Sequence, residues 1–154
     1  MYYEKMIRTI LLYALWTAVL LAPYAGAARE SACLDLEPVV VSVEGTLSAK
    51  IFPGPPNYES IEKGDKPIIY WVLEPDAPLC ANVDTAGDAK TTLGGIRLIE
   101  LVESPAHLPQ MYRRHRKDVG KRVVVSGALF RKYAKEQVSD ILIKVHAIRV
   151  AGGK

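Results

Sequence analysis

The feature that most constrains this 154-residue chain is the stretch from Val39 to Asp65. Its first half alternates apolar and polar residues, as in a long β-strand with one buried face. The apolar positions are Val39, Val41, Val43, Leu47, Ala49 and Ile51. Its second half holds Pro53, Pro55 and Pro56, which fix their own φ and lack backbone donors. We therefore expect the strand to leave its sheet here through a shaped loop.

Two glycines in matched surroundings predict a bent, closed sheet. Gly45 lies in Val-Glu-Gly-Thr-Leu, and Gly127 lies in Val-Ser-Gly-Ala-Leu. A glycine inside a strand marks a bulge or the close approach of another backbone, as at the corners of small barrels. We expect both strands to bend at these positions.

The rest of the chain predicts four more strands and one short helix. The strands lie over residues 67–73, 95–102, 121–130 and 139–150, and the helix over residues 109–117. Shorter features are a helical turn over residues 58–63, a continuation of the second strand over 79–83 and a polar loop over 84–93. The predicted fold is mainly β, a small five-stranded OB-fold-like barrel with one short helix between strands 3 and 4. A small β-sandwich, the alternative, needs more strands than the sequence shows.

The N-terminus has the pattern of a cleavable signal peptide over residues 1–27. Lys5 and Arg8 precede an apolar run over residues 9–22, and Ala25 and Ala27 are the small residues that a signal peptidase requires. The alternative is an uncleaved anchor, but this run is shorter than the ~20 residues needed to span a bilayer. We expect no stable membrane insertion after cleavage. Residues 28–37 would then form an N-terminal lead-in, and residues 38–150 the OB-fold-like β domain.

The cysteine pair agrees with export. Cys33 and Cys80 are the two cysteines of the chain, and in an exported protein they most simply form one disulfide. Two free buried thiols are the alternative. Neither cysteine lies in a Cys-x-x-Cys motif, so redox catalysis is not predicted.

The sequence shows no pattern typical of an enzyme, a metal site or a cofactor site. His107, His115 and His146 lie on different predicted elements without metal-ligand spacing, and we expect them to be packed or solvent-exposed. No serine lies in a Gly-x-Ser-x-Gly motif. The net charge of +3 is too small to indicate a polyanionic partner. We therefore predict a protein with no catalytic residues and no cofactor.

Two surfaces are candidates for binding. In the first, Asn57, Tyr58 and Glu59 lie on the proline-stiffened loop, with Tyr70 and Trp71 predicted to flank them. Alternatively, Tyr58 plugs the end of the barrel while Asn57 or Glu59 caps a turn.

The second candidate surface is the basic helix. Its positive charges, with those that open the next strand, are Arg113, Arg114, Arg116, Lys117, Lys121 and Arg122. On an OB-fold such a cluster would suggest nucleic-acid binding, but export argues against a nucleic-acid partner. We take Arg113 and Arg116 as the candidate binding residues. A solvated helix face is the alternative.

Several segments together resemble a known family. Val-Glu-Gly-Thr-Leu, Phe-Pro-Gly-Pro-Pro-Asn-Tyr-Glu-Ser, Pro-Leu-Cys and Gly-Lys-Arg-Val-Val-Val-Ser-Gly-Ala-Leu-Phe are similar to the exported bacterial family known as domain of unknown function 4431. The resemblance spans most of residues 33–145, and Gly54 to Ser60 is its most specific part. Where the family carries Gly-His-His-His-Thr, this chain has Lys132 to Gln137, so no role of those histidines carries over. The resemblance implies an envelope protein of a Gram-negative bacterium, and the signal peptide predicts a periplasmic location.

The sequence therefore predicts an exported, non-enzymatic binding domain of the cell envelope. Its partner would be an envelope ligand, such as a glycan or a lipid head group, or a periplasmic protein. In the second case the chain would be an inhibitor or immunity protein that binds a toxin or hydrolase. A ligand-binding domain should have a concave aromatic pocket near Trp71, whereas an inhibitor should have a protruding loop.

Overall fold

The computed structural model describes residues 33–84, 90–103 and 107–152. The predicted signal peptide and residues 28–32 of the predicted lead-in lie outside these ranges. Among the described residues, no helix is long and apolar enough to cross a membrane.

The described chain is mainly β, with one short α-helix. Its strands are β1 (Leu34–Asp35), β2 (Val40–Pro53), β3 (Pro67–Pro75), β4 (Leu79–Asp84), β5 (Lys90–Ile96), β6 (Ile99–Val102), β7 (Arg122–Arg131) and β8 (Ile141–Val150). The helix α1 (Leu108–His115) lies between β6 and β7 and is followed by a 3₁₀ turn, Arg116–Asp118. Pro109 suits the first turn of α1, where a backbone donor is not needed.

Five strands form the larger sheet, in the order β2-β3-β6-β8-β7. β7 also pairs with β2, from Val40 opposite Ala128 to Thr46 opposite Arg122, so every strand has a neighbour on both sides. β6 and β8 run parallel, and the other four pairs are antiparallel. This cyclic pairing encloses the core, whose fully buried side chains include Leu47, Leu73, Val123, Val125, Leu129, Ile141 and Ile143.

Three shorter strands form a second sheet in the order β1-β4-β5. β1 pairs in parallel with β4, with Leu34 opposite Ala81. The predicted disulfide is confirmed, because Cys33 and Cys80 are bonded and their Cα atoms lie 4.7 Å apart. Two residues of the predicted lead-in, Leu34 and Asp35, therefore form a strand beside β4, next to the disulfide.

The two matched glycines lie where a neighbouring backbone leaves no room for a side chain. A Cβ atom at Gly45 would overlap the carbonyl oxygen of Glu74, and one at Gly127 would overlap that of Lys144. The register shifts beside Gly127, because Ser126 lies opposite Ala147 while Gly127 lies opposite Val145. The bulge is therefore in β8 and not in the glycine-bearing strand, and the pairing of β2 with β7 continues through Gly45 without a shift. His146 is thus the extra residue on β8.

Several predicted boundaries were wrong. The third predicted strand is two strands in different sheets, since Ile96 pairs with Leu79 whereas Ile99 pairs with Leu73. Residues 90–93 belong to β5 rather than to a polar loop. Residues 79–83 lie in β4, which joins the smaller sheet and does not continue β3.

The turn expected over residues 58–63 lies two residues later and is not a helix. The N–H of Lys63 donates to the carbonyl of Ser60 at 3.2 Å and that of Gly64 to Ile61 at 3.1 Å, while the N–H groups of Glu59 and Ser60 donate to the carboxylate of Asp65.

Candidate functional site

The loop between β2 and β3, residues 54–66, is organised around the carboxylate of Asp65. One oxygen accepts a hydrogen bond from the backbone N–H of Asn57 at 2.8 Å. The other accepts from the N–H of Glu59 at 2.8 Å and of Ser60 at 2.9 Å. Asp65 is only 4% exposed. The donors on Ser60 and Glu59 lower the pKa of Asp65 and keep it ionised at neutral pH.

Backbone hydrogen bonds close the base of this loop. The N–H of Gly54 donates to the carbonyl of Lys66 at 2.7 Å, and the N–H of Lys66 donates to that of Pro55 at 2.9 Å. Tyr58 donates its N–H to the carbonyl of Gly54 at 2.9 Å. Tyr58 has a φ of +62°, a left-handed conformation that costs a non-glycine residue about 1 kcal/mol or more. The surrounding hydrogen bonds offset this cost and fix the shape of the loop.

The frame leaves the predicted loop residues facing outward. Asn57 and Glu59 are exposed, and Tyr58 is half-buried. The ammonium of Lys135 lies 5.4 Å from the centre of the Tyr58 ring, a cation–π distance. Asp65 caps the turn through its side chain, the role that the alternative interpretation gave to Asn57 or Glu59.

The connection between β7 and β8, residues 132–140, lies beside this loop and has its own internal frame. The side-chain oxygen of Gln137 accepts hydrogen bonds from the backbone of Tyr133 at 2.8 Å and of Ala134 at 3.0 Å. Tyr70 on β3 donates its hydroxyl to the carbonyl of Glu136 at 2.9 Å. Tyr70 therefore holds the connection in place through its hydroxyl.

A buried glutamate on β6 anchors the same connection. Glu100 is 6% exposed, and its carboxylate accepts a hydrogen bond from the N–H of Val138 at 2.8 Å. The hydroxyl of Ser139 accepts one from the N–H of Glu100 at 2.9 Å. Burial raises the pKa of Glu100. We call the outward side of the loop and of this connection the recognition surface: Asn57, Tyr58, Glu59, Tyr133 and Lys135.

Trp71 does not contribute to an open aromatic pocket. It is 7% exposed, and its ring lies 4.7 Å from that of Tyr112 on α1, measured between centroids. Successive residues of a strand face opposite sides, so Tyr70 faces the connection while Trp71 faces the core. The structure therefore gives Trp71 a packing role between β3 and the helix.

The basic helix is a smaller charged surface than the sequence indicates. Arg113 and Arg116 are exposed, as expected. Two of the six cations are paired with carboxylates: Lys121 with Asp118 at 3.1 Å and Arg122 with Asp76 at 2.6 Å. The exposed cations of the helix and its 3₁₀ turn are Arg113, Arg114, Arg116 and Lys117.

A cleft of about 300 Å³ between α1 and β8 was not predicted from the sequence. All three histidines of the chain line it, together with Glu103, Gln110 and Arg114. The helix side of this cleft could have been predicted, because His107, Gln110 and Arg114 have the three- and four-residue spacing of one helix face. The placement of His146 depends on the bulge in β8, which its local sequence does not reveal. We call this feature the histidine cleft.

The histidine cleft does not have the arrangement of a metal centre. In the ranges that the structure describes, no group of three or more His, Cys, Asp or Glu side chains could hold a metal ion. The ring Nδ1 of His115 lies 3.2 Å from Asp118 Oδ2, so a carboxylate orients this imidazole.

No family model matches this chain, and no curated protein matches it either. The resemblance of Gly54 to Ser60 and the other segments to domain of unknown function 4431 thus stays a prediction.

Proposed function

We propose that this chain is an exported, non-enzymatic binding domain of the bacterial envelope, and that its recognition surface binds a protein partner in the periplasm. The carrying observation is the loop frame, in which one buried carboxylate fixes the backbone of Asn57, Glu59 and Ser60. A segment that is already ordered loses little conformational entropy when it binds. An inhibitor or immunity protein for a toxin or hydrolase uses such a loop to fill a cleft.

We further propose that the scaffold is an OB-fold-like barrel. The cyclic order of the five-stranded sheet supports it, as does the position of α1 between the third and fourth of its strands. The same scaffold explains why the loop is rigid at its base, since β2 and β3 pair continuously from Gly45 to Pro53.

A protein partner is favoured over a glycan or lipid head group. A sugar or head-group pocket would be expected to present an aromatic face, and Trp71 is instead packed against Tyr112. The recognition surface combines an exposed tyrosine, a carboxamide and charges of both signs. Tyr133 is 81% exposed, and tyrosine is enriched at protein interfaces.

A pull-down from periplasm with two double variants tests this proposal. Asn57→Ala with Glu59→Ala removes two exposed side chains of the loop and leaves the backbone bonds to Asp65 in place. Arg113→Ala with Arg116→Ala is the matched control on the basic helix. We expect the loop variant to lose the captured partner by at least about tenfold in Kd while its Tm stays within a few degrees of the wild type.

Two results would overturn the proposal. One is a captured protein that the loop variant retains and the helix variant loses, with an affinity that falls steeply as salt increases. The other is retention by both variants of a glycan or lipid and of no protein.

A further inference from the structure

The helix supplies one side of the histidine cleft with polar groups at regular spacing. His107, Gln110 and Arg114 lie along one face of α1, and His115 follows at its end. Met111 of the same helix is buried and packs α1 onto the core. The polar groups are therefore fixed to a well-packed element.

The bulge in β8 supplies the opposite side. Val145 and Ile148 are buried in the core, whereas His146 is exposed and lines the cleft. His146 is the residue left without a partner opposite it where the register shifts beside Gly127. A bulge re-aims a side chain relative to the strand, and here that side chain lies in the wall facing α1.

The fixed charges of the cleft nearly cancel, so its net charge depends on the imidazoles. Among the described residues that line it, Arg114 is positive and Glu103 is negative, with Glu103 Oε1 at 4.0 Å from His107 Nδ1. Asp118 faces His115 from the 3₁₀ turn, and its other oxygen contacts Lys121 at 3.1 Å. Asp118 thus has a cationic partner of its own. An imidazole becomes a cation when it takes up a proton, so protonated histidines would leave the cleft positive.

We propose that the histidine cleft binds a small oxyanion, a phosphoryl or sulfuryl group, when its imidazoles are protonated. A guanidinium and imidazolium groups donate charge-assisted hydrogen bonds to such oxygens. Donors on both walls suit an anion whose oxygens point in more than two directions. A volume of about 300 Å³ fits a small molecule. This site shares no residue with the recognition surface, so the proposal stands apart from the proposed function.

Inorganic sulfate is the best probe, because its charge does not change between about pH 5.5 and 8 and any pH dependence belongs to the protein. Binding is followed by NMR on the ring signals of the three histidines. We expect all three to shift on titration at about pH 5.5, and the Kd to weaken by at least about tenfold at pH 8.

Neighbouring arginines provide a matched pair of variants. Arg114 lines the cleft and Arg113, also exposed, does not. Arg114→Gln should weaken sulfate binding by about tenfold, and Arg113→Gln by less than about twofold. His146→Gln should also weaken it and reduce the pH dependence. Circular dichroism confirms that each variant is folded.

Several outcomes would overturn the proposal. The first is an equal loss of sulfate affinity in Arg113→Gln and Arg114→Gln, which would indicate diffuse attraction to the helix. The second is acetate binding as tight as sulfate binding. The third is zinc binding without sulfate binding. Two further probes distinguish a free phosphoryl group from a lipid-borne one: glycerol 3-phosphate in solution and vesicles containing phosphatidylglycerol. If neither binds at about pH 5.5, the phosphoryl assignment is contradicted.

Discussion

Asp65 shows how one side chain can determine the shape of a loop. Three prolines restrict the chain before it, but they cannot satisfy the N–H groups of Asn57, Glu59 and Ser60, and the buried carboxylate accepts all three. The pKa of Asp65 is lowered below its ordinary value of 3.8. For an acid of lowered pKa, the stabilisation is present above the unfolded-state pKa and is lost as the pH falls through the folded-state pKa.

Asp65→Asn should therefore lower the Tm at neutral pH and make the remaining stability less sensitive to acid between about pH 5 and 3. An amide has one oxygen to accept where the carboxylate has two, so one or more of the three N–H groups loses its bond. Thermal melts across this pH range measure both effects. Asp118, whose pKa is also lowered, titrates in the wild type and in Asp65→Asn alike. The control variant is Asp140→Asn, at an exposed position. A parallel pH profile for Asp65→Asn and wild type would contradict this role of Asp65.

The bulge glycine gives a second prediction at the scale of one residue. A single methyl group at Gly127 would overlap the carbonyl oxygen of Lys144, so Gly127→Ala should destabilise the protein by about 1–3 kcal/mol. Gly94→Ala is the matched control, because a Cβ there meets no atom within 4 Å. Urea midpoints for the two variants measure the difference. Equal midpoints would show that the neighbouring strand adjusts without cost.

At the scale of elements, the sequence predicts strands better than it predicts their partners. The alternation of β2 and the glycines of β2 and β7 were sufficient to place both strands, but not the bulge, whose extra residue, His146, lies on β8. Residues 95–102 look like one strand because apolar residues continue through them. Their division into β5 and β6 depends on Leu79 and Leu73, the distant partners of Ile96 and Ile99. Local periodicity carries no information about such pairing.

The candidate site was predicted in part for the same reason. Asn57, Tyr58 and Glu59 could be identified because prolines and a long strand bracket them. The contribution of residues 132–140 could not, because this segment is held by Glu100, 38 positions from Val138. A polar segment without hydrophobic periodicity looks like a solvated loop until its buried hydrogen-bond partners are known. Trp71 illustrates the converse, since an aromatic residue predicted at a binding surface lies in the core.

At the scale of the whole molecule, the disulfide joins the start of the described chain to a distant strand of the smaller sheet. Cys33 precedes β1 and Cys80 lies in β4, at a separation of 47 positions. Of the five strands of the larger sheet, β2 and β3 lie between the two cysteines in the sequence, and β6, β7 and β8 follow Cys80. Because β1 has two residues, its parallel pairing with β4 gains little from its own hydrogen bonds. The crosslink is therefore what keeps the start of the described chain on the smaller sheet.

Cys33→Ser with Cys80→Ser should accordingly lower the free energy of unfolding by about 3–4 kcal/mol, the chain-entropy value for a loop of this length. Urea unfolding of protein recovered from the periplasm measures this loss. In the wild type, mass spectrometry should show a chain that begins at or close to Ala28 and lies two hydrogens below the reduced mass. The single variant Cys80→Ser should be as destabilised as the double variant, since either change removes the bond. Wild-type protein with free thiols and an unchanged midpoint in the double variant would contradict both the crosslink's role and the proposed export.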